Sequence, residues 1–234
     1  MRRILLKISG EQLAGDNPHG FDIERAKWIA GQIKQAKEAT GTEFVVVVGA
    51  GNFVRGADFA GDDIGRVTAD NMGMLAIVIN ALALNDVFNS CGLPTVALSN
   101  LYVDQAIDQF THRRAVHHLR KGRVVIVAGG TGRPYFTSDM SAASMAMELD
   151  CDVIAKATKV DGVYDDDPVK NHDARRFDKL TFDEAIVADD IRVMDKSALA
   201  LAADHNKPIV VFELLHDGNI ATLAQGQPVG TRIE

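Results

Sequence analysis

Short apolar runs rich in Val and Ile recur along the chain: RILLKIS (3–9), FVVVVGA (44–50), PTVALS (94–99), RVVIVAG (123–129), CDVIAKAT (151–158) and PIVVFEL (208–214). Within each run hydrophobicity is continuous rather than alternating, the mark of strands covered on both faces. Amphipathic stretches of helical length separate most of them, and strand then helix, repeated, predicts an α/β fold with a mainly parallel sheet. The first helix is expected from Asp22, as N-cap, to Gly41, with Ile23, Ala26, Ile29, Ala30, Ile33 and Ala36 on one side. Others are expected from near Thr68 to about Ser90, through HRRAVHHLRKG up to Gly122, after Asp139 through SAASMAMEL, and in DKSALALAADHN. The closing GTRIE is a candidate edge strand. The most apolar window, MGMLAIVINALAL (72–84), is too short to span a bilayer and is interrupted by Asn80, so it reads as a helix buried on most sides, at a subunit interface.

At 234 residues, with 47% hydrophobic and 24% charged side chains, the chain has ample material for a core. It carries no internal repeat, low-complexity tract or Ser/Pro/Gly linker, so one domain of two lobes is expected. The net charge of -7, from 32 acidic against 25 basic residues, argues against a general nucleic-acid or anionic-membrane binder. A phosphorylated ligand must then be attracted by local charges and backbone dipoles. Cys91 and Cys151 fall in no metal-ligand spacing; both read as small buried hydrophobes of a reduced, cytoplasmic protein. The start, MRRILLKISGE, lacks the long apolar core and cleavage site of a signal peptide.

Three strand ends share a signature. ILLKISGE, VVVVGAGNFVRG and VVIVAGGTGRPYFTSD each run from a buried strand directly into glycines. Ligands of open α/β sheets sit at the carboxyl ends of the strands, so such loops converge on one crevice, where backbone N–H groups and helix N-termini make anion sites. Lys7 at the first loop and Arg55 at the second strengthen a phosphate reading over plain turns. No GxxxxGK[ST] and no GxGxxG occurs, which removes the P-loop and the dinucleotide fingerprint. In KATKVDGVYDDDP (156–168), Lys156 leaves a strand ahead of an Asp-Gly turn and an acidic loop; beside the glycine loops it becomes a second cation for a polyphosphate. None of the histidines falls in an HExxH or triad order, and His112, His117 and His118 read as surface residues of a basic helix.

Taken in order, KISGE (7–11), GAGNFVRG (49–56), ADNMGMLA (69–76), GGTGRPYFTSD (129–139), KATKVDGVYDDDP (156–168), VMD (193–195) and the closing GT (230–231) resemble the motifs of the bacterial uridylate kinases, the UMP kinase branch of the amino acid kinase superfamily. The match spans essentially the whole chain. It implies a three-layer α/β/α sandwich and the reaction ATP + UMP → ADP + UDP, with Mg2+ entering with ATP. Lys7, Asp139 and Lys156 are implied as catalytic, the two lysines flanking the transferred group and Asp139 orienting them. Donor phosphates and adenosine would meet Lys7, Ile8, Ser9, Gly10, Gly51, Arg55, Thr158, Tyr164 and Asp167. The acceptor UMP would lie against Ala50, Asp70, Thr131, Gly132, Arg133, Pro134, Tyr135, Phe136, Thr137 and Ser138, with Asp70 on the ribose hydroxyls.

Phosphoryl transfer passes through a loose transition state, so catalysis is positioning and charge stabilisation. A UMP phosphate has a second pKa of about 6 and needs no general base, which suits a site without a candidate His. Two departures from the family pattern stand out. Ala50 replaces the middle glycine of GGGN and requires a negative φ there; Arg133 replaces a small amide with a long cation. The resemblance further implies a homohexamer, a trimer of dimers, activated by GTP and inhibited by UTP. Two other readings compete: a non-catalytic nucleotide-binding storage or regulatory relative, like the molybdenum-storage subunits, and a kinase of a carboxylate or carbamate acceptor.

Overall fold

The computed structural model describes residues 3–54, 61, 63–168, 170–187 and 194–234. Its strands are β1 (Arg3–Ile8), β2 (Glu43–Val48), β3 (Thr95–Ser99), β4 (Asp108–Gln109), β5 (Val124–Ala128), β6 (Val153–Thr158), β7 (Val163–Tyr164), β8 (Arg176–Phe177), β9 (Lys179–Leu180), β10 (Ile209–Glu213) and β11 (Thr231–Ile233). Its helices, in chain order, are α1 (Gly10–Leu13), α2 (Ile23–Thr40), α3 (Arg66–Ser90), α4 (His112–Arg120), α5 (Ser138–Glu148), α6 (Phe182–Val187), α7 (Lys196–Asp204) and α8 (Asn219–Ala224).

Nine strands form one sheet in the order β4-β3-β5-β2-β1-β6-β10-β11-β9. The pairings from β4 to β10 are parallel, and β11 runs antiparallel to β10. The GTRIE segment is therefore a strand, but not the edge: β9 pairs with it on the outer side. Short strands that are far apart in sequence, such as β9, carry too little periodicity to be seen in the chain.

The continuous apolar runs pack on both faces, as a parallel sheet requires. On one face Ile4, Leu6, Ile8, Phe44, Val46 and Ile126 meet α2, α3 and α8; on the other, Leu5, Val45, Val47, Val125 and Ile154 meet α4, α5 and α7. This is the three-layer α/β/α sandwich. Asp22 caps α2, its carboxylate accepting from Arg25 N at 2.9 Å, and Gly41 ends it with φ 71°. The helix expected after Asp139 already begins at Ser138, because Thr137 is its N-cap; Asp139 lies in the first turn.

Helix α3 runs 25 residues and contains an 18-residue stretch with a mean hydropathy of 1.6, long and apolar enough by length and composition to cross a membrane. Of that stretch 44% is buried within the protein, while over 72–84 only Leu75 and Ile79 are exposed, as expected of a helix buried on most sides. Met74, Ile77, Val78, Ala81 and Leu84 are buried, whereas Leu75 and Ile79 are about half exposed at 49% and 52%. Cys151 is buried, and burial pushes its thiol up to about 12. Cys91, expected buried, is only partly so. Among the basic-helix histidines, His112 and His117 are exposed, while His118 is half-buried, and burial pulls its ring below the ordinary histidine range.

Candidate active site

The lysines are placed by strand register. Lys7 of β1 and Lys156 of β6 are direct partners across parallel strands, so their side chains leave the same face. Period-2 alternation makes that face the one of Leu5 and Ile154, which α5 covers through Ala142, Ala143 and Ala146. The first turn of α5 thus lands on the two lysines. Lys7 Nζ lies 2.7 Å from Asp139 Oδ1, and Lys156 Nζ donates to Asp139 Oδ2 at 2.8 Å.

All three side chains are sheltered, at 8%, 16% and 13% exposure for Lys7, Lys156 and Asp139. Burial alone would push the Asp139 carboxyl up, but Lys7 and Lys156 on its two oxygens hold it below the usual carboxylate range. Burial likewise pulls the Lys156 ammonium below the ordinary lysine range, an effect that Asp139 offsets in part. The triad carries a net positive charge at the carboxyl end of the sheet. From β1 the chain turns to β2 on one side, and from β6 to β10 on the other, so the lysines sit at the topological switch point where α/β sheets take ligands.

The glycine loops crowd around this point. A Cβ on Gly10 would lie 2.4 Å from Gly51 N and 2.8 Å from the Ala50 carbonyl carbon, and one on Gly49 would lie 2.9 Å from Gly10 N. Only glycine permits that approach of two backbones. Gly49 N donates to Ile8 O at 2.9 Å; the Ile8 side chain itself is in the core and frames the loop without facing the crevice. Ala50 keeps a φ outside the left-handed region, so an alanine is accommodated. Arg55 lies outside the described residues. Ser9 precedes α1 without capping it through its side chain.

Beside the lysines a cleft of about 1080 Å³ is lined by Lys156, Thr158, Gly162, Tyr164 and Asp167 among others. Three of the residues expected to hold adenosine and ribose are thereby brought together. Thr158 Oγ1 donates to Val160 O at 2.6 Å, and the Tyr164 hydroxyl donates to Asp161 Oδ1 at 2.5 Å, so both walls are held locally.

On the other side of the lysines, the segment from Gly129 to Ser138 forms a cradle. Gly129, Gly130 and Gly132 have φ of 76°, 58° and 71°, and a Cβ on Gly132 would lie 2.9 Å from Asn100 O. The Thr131 hydroxyl accepts from Arg133 N and donates to Arg133 O, closing the turn, while the Arg133 side chain is exposed. Pro134 is partly buried, and Tyr135 and Phe136 are 65% and 51% exposed, standing as an apolar wall. Ser138 comes close to Gly49, 3.6 Å from the position of a Cβ there. The Asp70 carboxylate accepts from Tyr135 N at 2.8 Å and from Arg66 Nε at 2.9 and 2.8 Å, which brings it to the cradle from α3.

Four residues that shape the site were missed by sequence reasoning. Asn80 and Asn52 exchange hydrogen bonds at 2.8 Å in both directions, and each amide makes a further bond at 2.8 Å, Asn80 to Gly49 O and Asn52 to Gly20 O. This pair pins the GAGN loop to α3; its signal was a single amide inside an apolar helix, which must find a partner. Asp195, quoted only as part of VMD, accepts from the Thr137 hydroxyl while capping α7 through Ala198 N. Arg66, which binds Asp70, had no signal beyond its spacing of four residues.

Comparison with known proteins agrees with this geometry. Residues 2–213 match the model of the amino acid kinase family. A uridylate kinase of Methylococcus capsulatus is 46% identical over 98% of this chain and 95% of its own length, and one of Xanthomonas oryzae is 44% identical over 100% and 96%. Among solved structures, the UMP kinase of Bacillus anthracis superposes with a TM-score of 0.93 at 35% identity, covering 100% of this chain and 96% of that one. That of Ureaplasma parvum follows with 0.91 at 33% identity, over 100% and 98%. With its lysines and carboxylate at the switch point of a parallel sheet, the chain belongs to the amino acid kinase family and, within it, to the uridylate kinases.

Proposed function

We propose that this chain transfers the γ-phosphoryl group of ATP to the phosphate of UMP, giving ADP and UDP, as a step in making pyrimidine nucleotides. The observation that carries this reading is the convergence of Lys7 and Lys156 on Asp139, between the cleft at Thr158 and the cradle at Gly129–Ser138. ATP would enter the cleft, with its phosphates directed to Lys7, Ser9, Gly10 and Gly51. UMP would occupy the cradle, its ribose at Asp70 and its phosphate aimed at the lysines. On this reading the acceptor lobe is residues 1–150 and the donor lobe 151–234 of one domain.

Two phosphates repel one another, and the reaction adds charge to the bridging and equatorial oxygens. Two sheltered ammonium groups, fixed before substrates arrive, stabilise that charge without reorganising. Asp139 keeps them apart from each other's repulsion and aimed at one point. Mg2+ entering with ATP would supply further neutralisation of the phosphate charge. Such ions take most of their ligands from phosphates and water with one or two carboxylates. This fits a site in which both Asp139 oxygens already hold lysines and no cluster of three His, Cys, Asp or Glu occurs among the described residues.

Intact Lys7, Asp139 and Lys156 favour turnover over storage, and the aromatic cradle with Asp70 favours a nucleotide over an amino acid acceptor. Coupled measurement of ADP release with UMP, CMP, dTMP and N-acetylglutamate tests this; UMP is expected to give the highest kcat/KM, and no UMP-dependent turnover would refute it. We further infer a cytoplasmic homo-oligomer, a hexamer with GTP as activator and UTP as inhibitor. The exposed Leu75 and Ile79, one turn apart on α3, support self-association, and two unpaired cysteines suit a reducing compartment. Light scattering, and rates with added GTP or UTP, test these points.

A further inference from the structure

Arg66 opens α3 one turn before Asp70, and a helix-surface ion pair at this spacing ordinarily contributes little. Here the pair is asymmetric: Arg66 is 45% exposed, whereas Asp70 is sheltered at 13%. The guanidinium also does two things at once. Its Nε donates to both carboxylate oxygens of Asp70, at 2.9 and 2.8 Å, and its central carbon lies 5.2 Å from the ring centroid of Tyr135, within cation–π range. Tyr135 in turn donates its backbone N–H to Asp70 Oδ2 at 2.8 Å, from a backbone with φ of 70°, a conformation bulky residues rarely adopt.

A carboxylate has about four lone-pair positions. Arg66 takes one on each oxygen and Tyr135 N takes the second on Oδ2. Among the described residues, one position on Oδ1 remains for a further donor. The same guanidinium joins the helix that carries Asp70 to the loop that carries the aromatic wall, fixing two sides of the cradle relative to each other.

We propose that Arg66 is a positioning residue for the acceptor nucleotide, holding Asp70 and the Tyr135 loop so that a single carboxylate position meets a sugar hydroxyl. This rests on the reading of the cradle as the acceptor site. A merely structural ion pair would change stability or nothing; a positioning pair changes the acceptor's KM selectively.

Steady-state kinetics on the full-length Arg66→Ala and Arg66→Lys variants, with thermal melting alongside, test the inference. Arg66→Ala is expected to raise the KM for UMP roughly tenfold, the loss of about one charge-assisted contact, with kcat, the KM for ATP and Tm close to wild type. Arg66→Lys, which keeps the charge but lacks the planar guanidinium that stacks on Tyr135, is expected to fall between. An unchanged KM for UMP, or a joint change of kcat, both KM values and Tm, would overturn it. If Arg66→Ala does not fold, Arg66→Lys is read by the same criterion. Wild-type turnover separates the two claims: if UMP is not an acceptor, the assignment of substrate fails, and the variants are compared on whichever of CMP or dTMP the wild type phosphorylates.

Discussion

Lys7 and Lys156 stand opposite each other on neighbouring parallel strands, and Asp139, from the helix above, pairs with both. Like charges this close and this sheltered persist because a carboxylate lies between them. The arrangement stores a positive field at the point where, on the proposed function, two phosphates meet, and each part of it can be tested.

Replacing Lys7 with Ala removes one of the two cations and leaves Asp139 paired with Lys156 alone. A loss in kcat of roughly 10²–10³ is expected, typical for one preorganised charge at a developing anion. Circular dichroism should remain that of the wild type. Near-normal turnover would remove Lys7 from the mechanism.

The titration directions give opposite limbs. Burial lowers the Lys156 pKa, so activity should fall on the alkaline side at a pH below the ordinary lysine value, as that ammonium loses its proton. For Asp139 the folded value lies below the unfolded one, about 3.9. Its stabilising contribution is complete above the unfolded value and is lost as pH falls from there through the folded value. Comparing the pH dependence of unfolding for wild type and Asp139→Asn should show the acid-side slope reduced in the variant.

Gly10→Ala places a Cβ against the backbone of Gly51 and Ala50, atoms that have no rotamer to move away. The first two glycine loops must separate. A loss of about 1–3 kcal/mol in stability is expected, together with a higher KM for ATP; unchanged urea denaturation would show that the loops part freely.

Asn80→Ala removes both hydrogen bonds that Asn52 exchanges with it, leaving Asn52 bonded to Gly20 O, and takes the amide donor from Gly49 O. Leaving such groups unsatisfied costs about 1–3 kcal/mol each. The substitution should lower the denaturation midpoint clearly, although the residue lies on an apolar helix where alanine would ordinarily be accepted. A neutral result would mean that water replaces the amide.

Arg133 projects into solvent from a turn closed by backbone contacts with Thr131. Arg133→Asn is therefore expected to change kcat/KM for UMP, and the ratio of UMP to CMP, by about twofold at most, the scale of ordinary surface substitutions. A large change in that ratio would assign base recognition to this side chain.

Much of this site was legible in the chain. Lys7 and Lys156 are legible because each stands at the end of a buried strand, and such strands end at one edge of a parallel sheet; Asp139 enters through the resemblance to the uridylate kinases. Thr158 and Tyr164 likewise enter through that resemblance, from the KATKVDGVYDDDP motif. Arg66 was not legible: its partner Asp70 was read as facing a sugar, and nothing local says that the carboxylate has a cation on it. Nor was the Thr137 to Asp195 contact, which joins segments far apart in sequence.

The sequence by itself determined the α/β class, the strands of the core, the helix caps at Asp22 and Gly41 and the residue types of the phosphate site, because periodicity, capping and glycine preference act over a few residues. The tertiary structure alone decided that Lys7 and Lys156 share a register, that Asn52 and Asn80 exchange amide bonds, that β9 lies outside β11, and that Arg66 ties Asp70 to the cradle. Those relations depend on which distant segments pack together, and that choice is made by the burial of whole faces, not by any local stretch of chain.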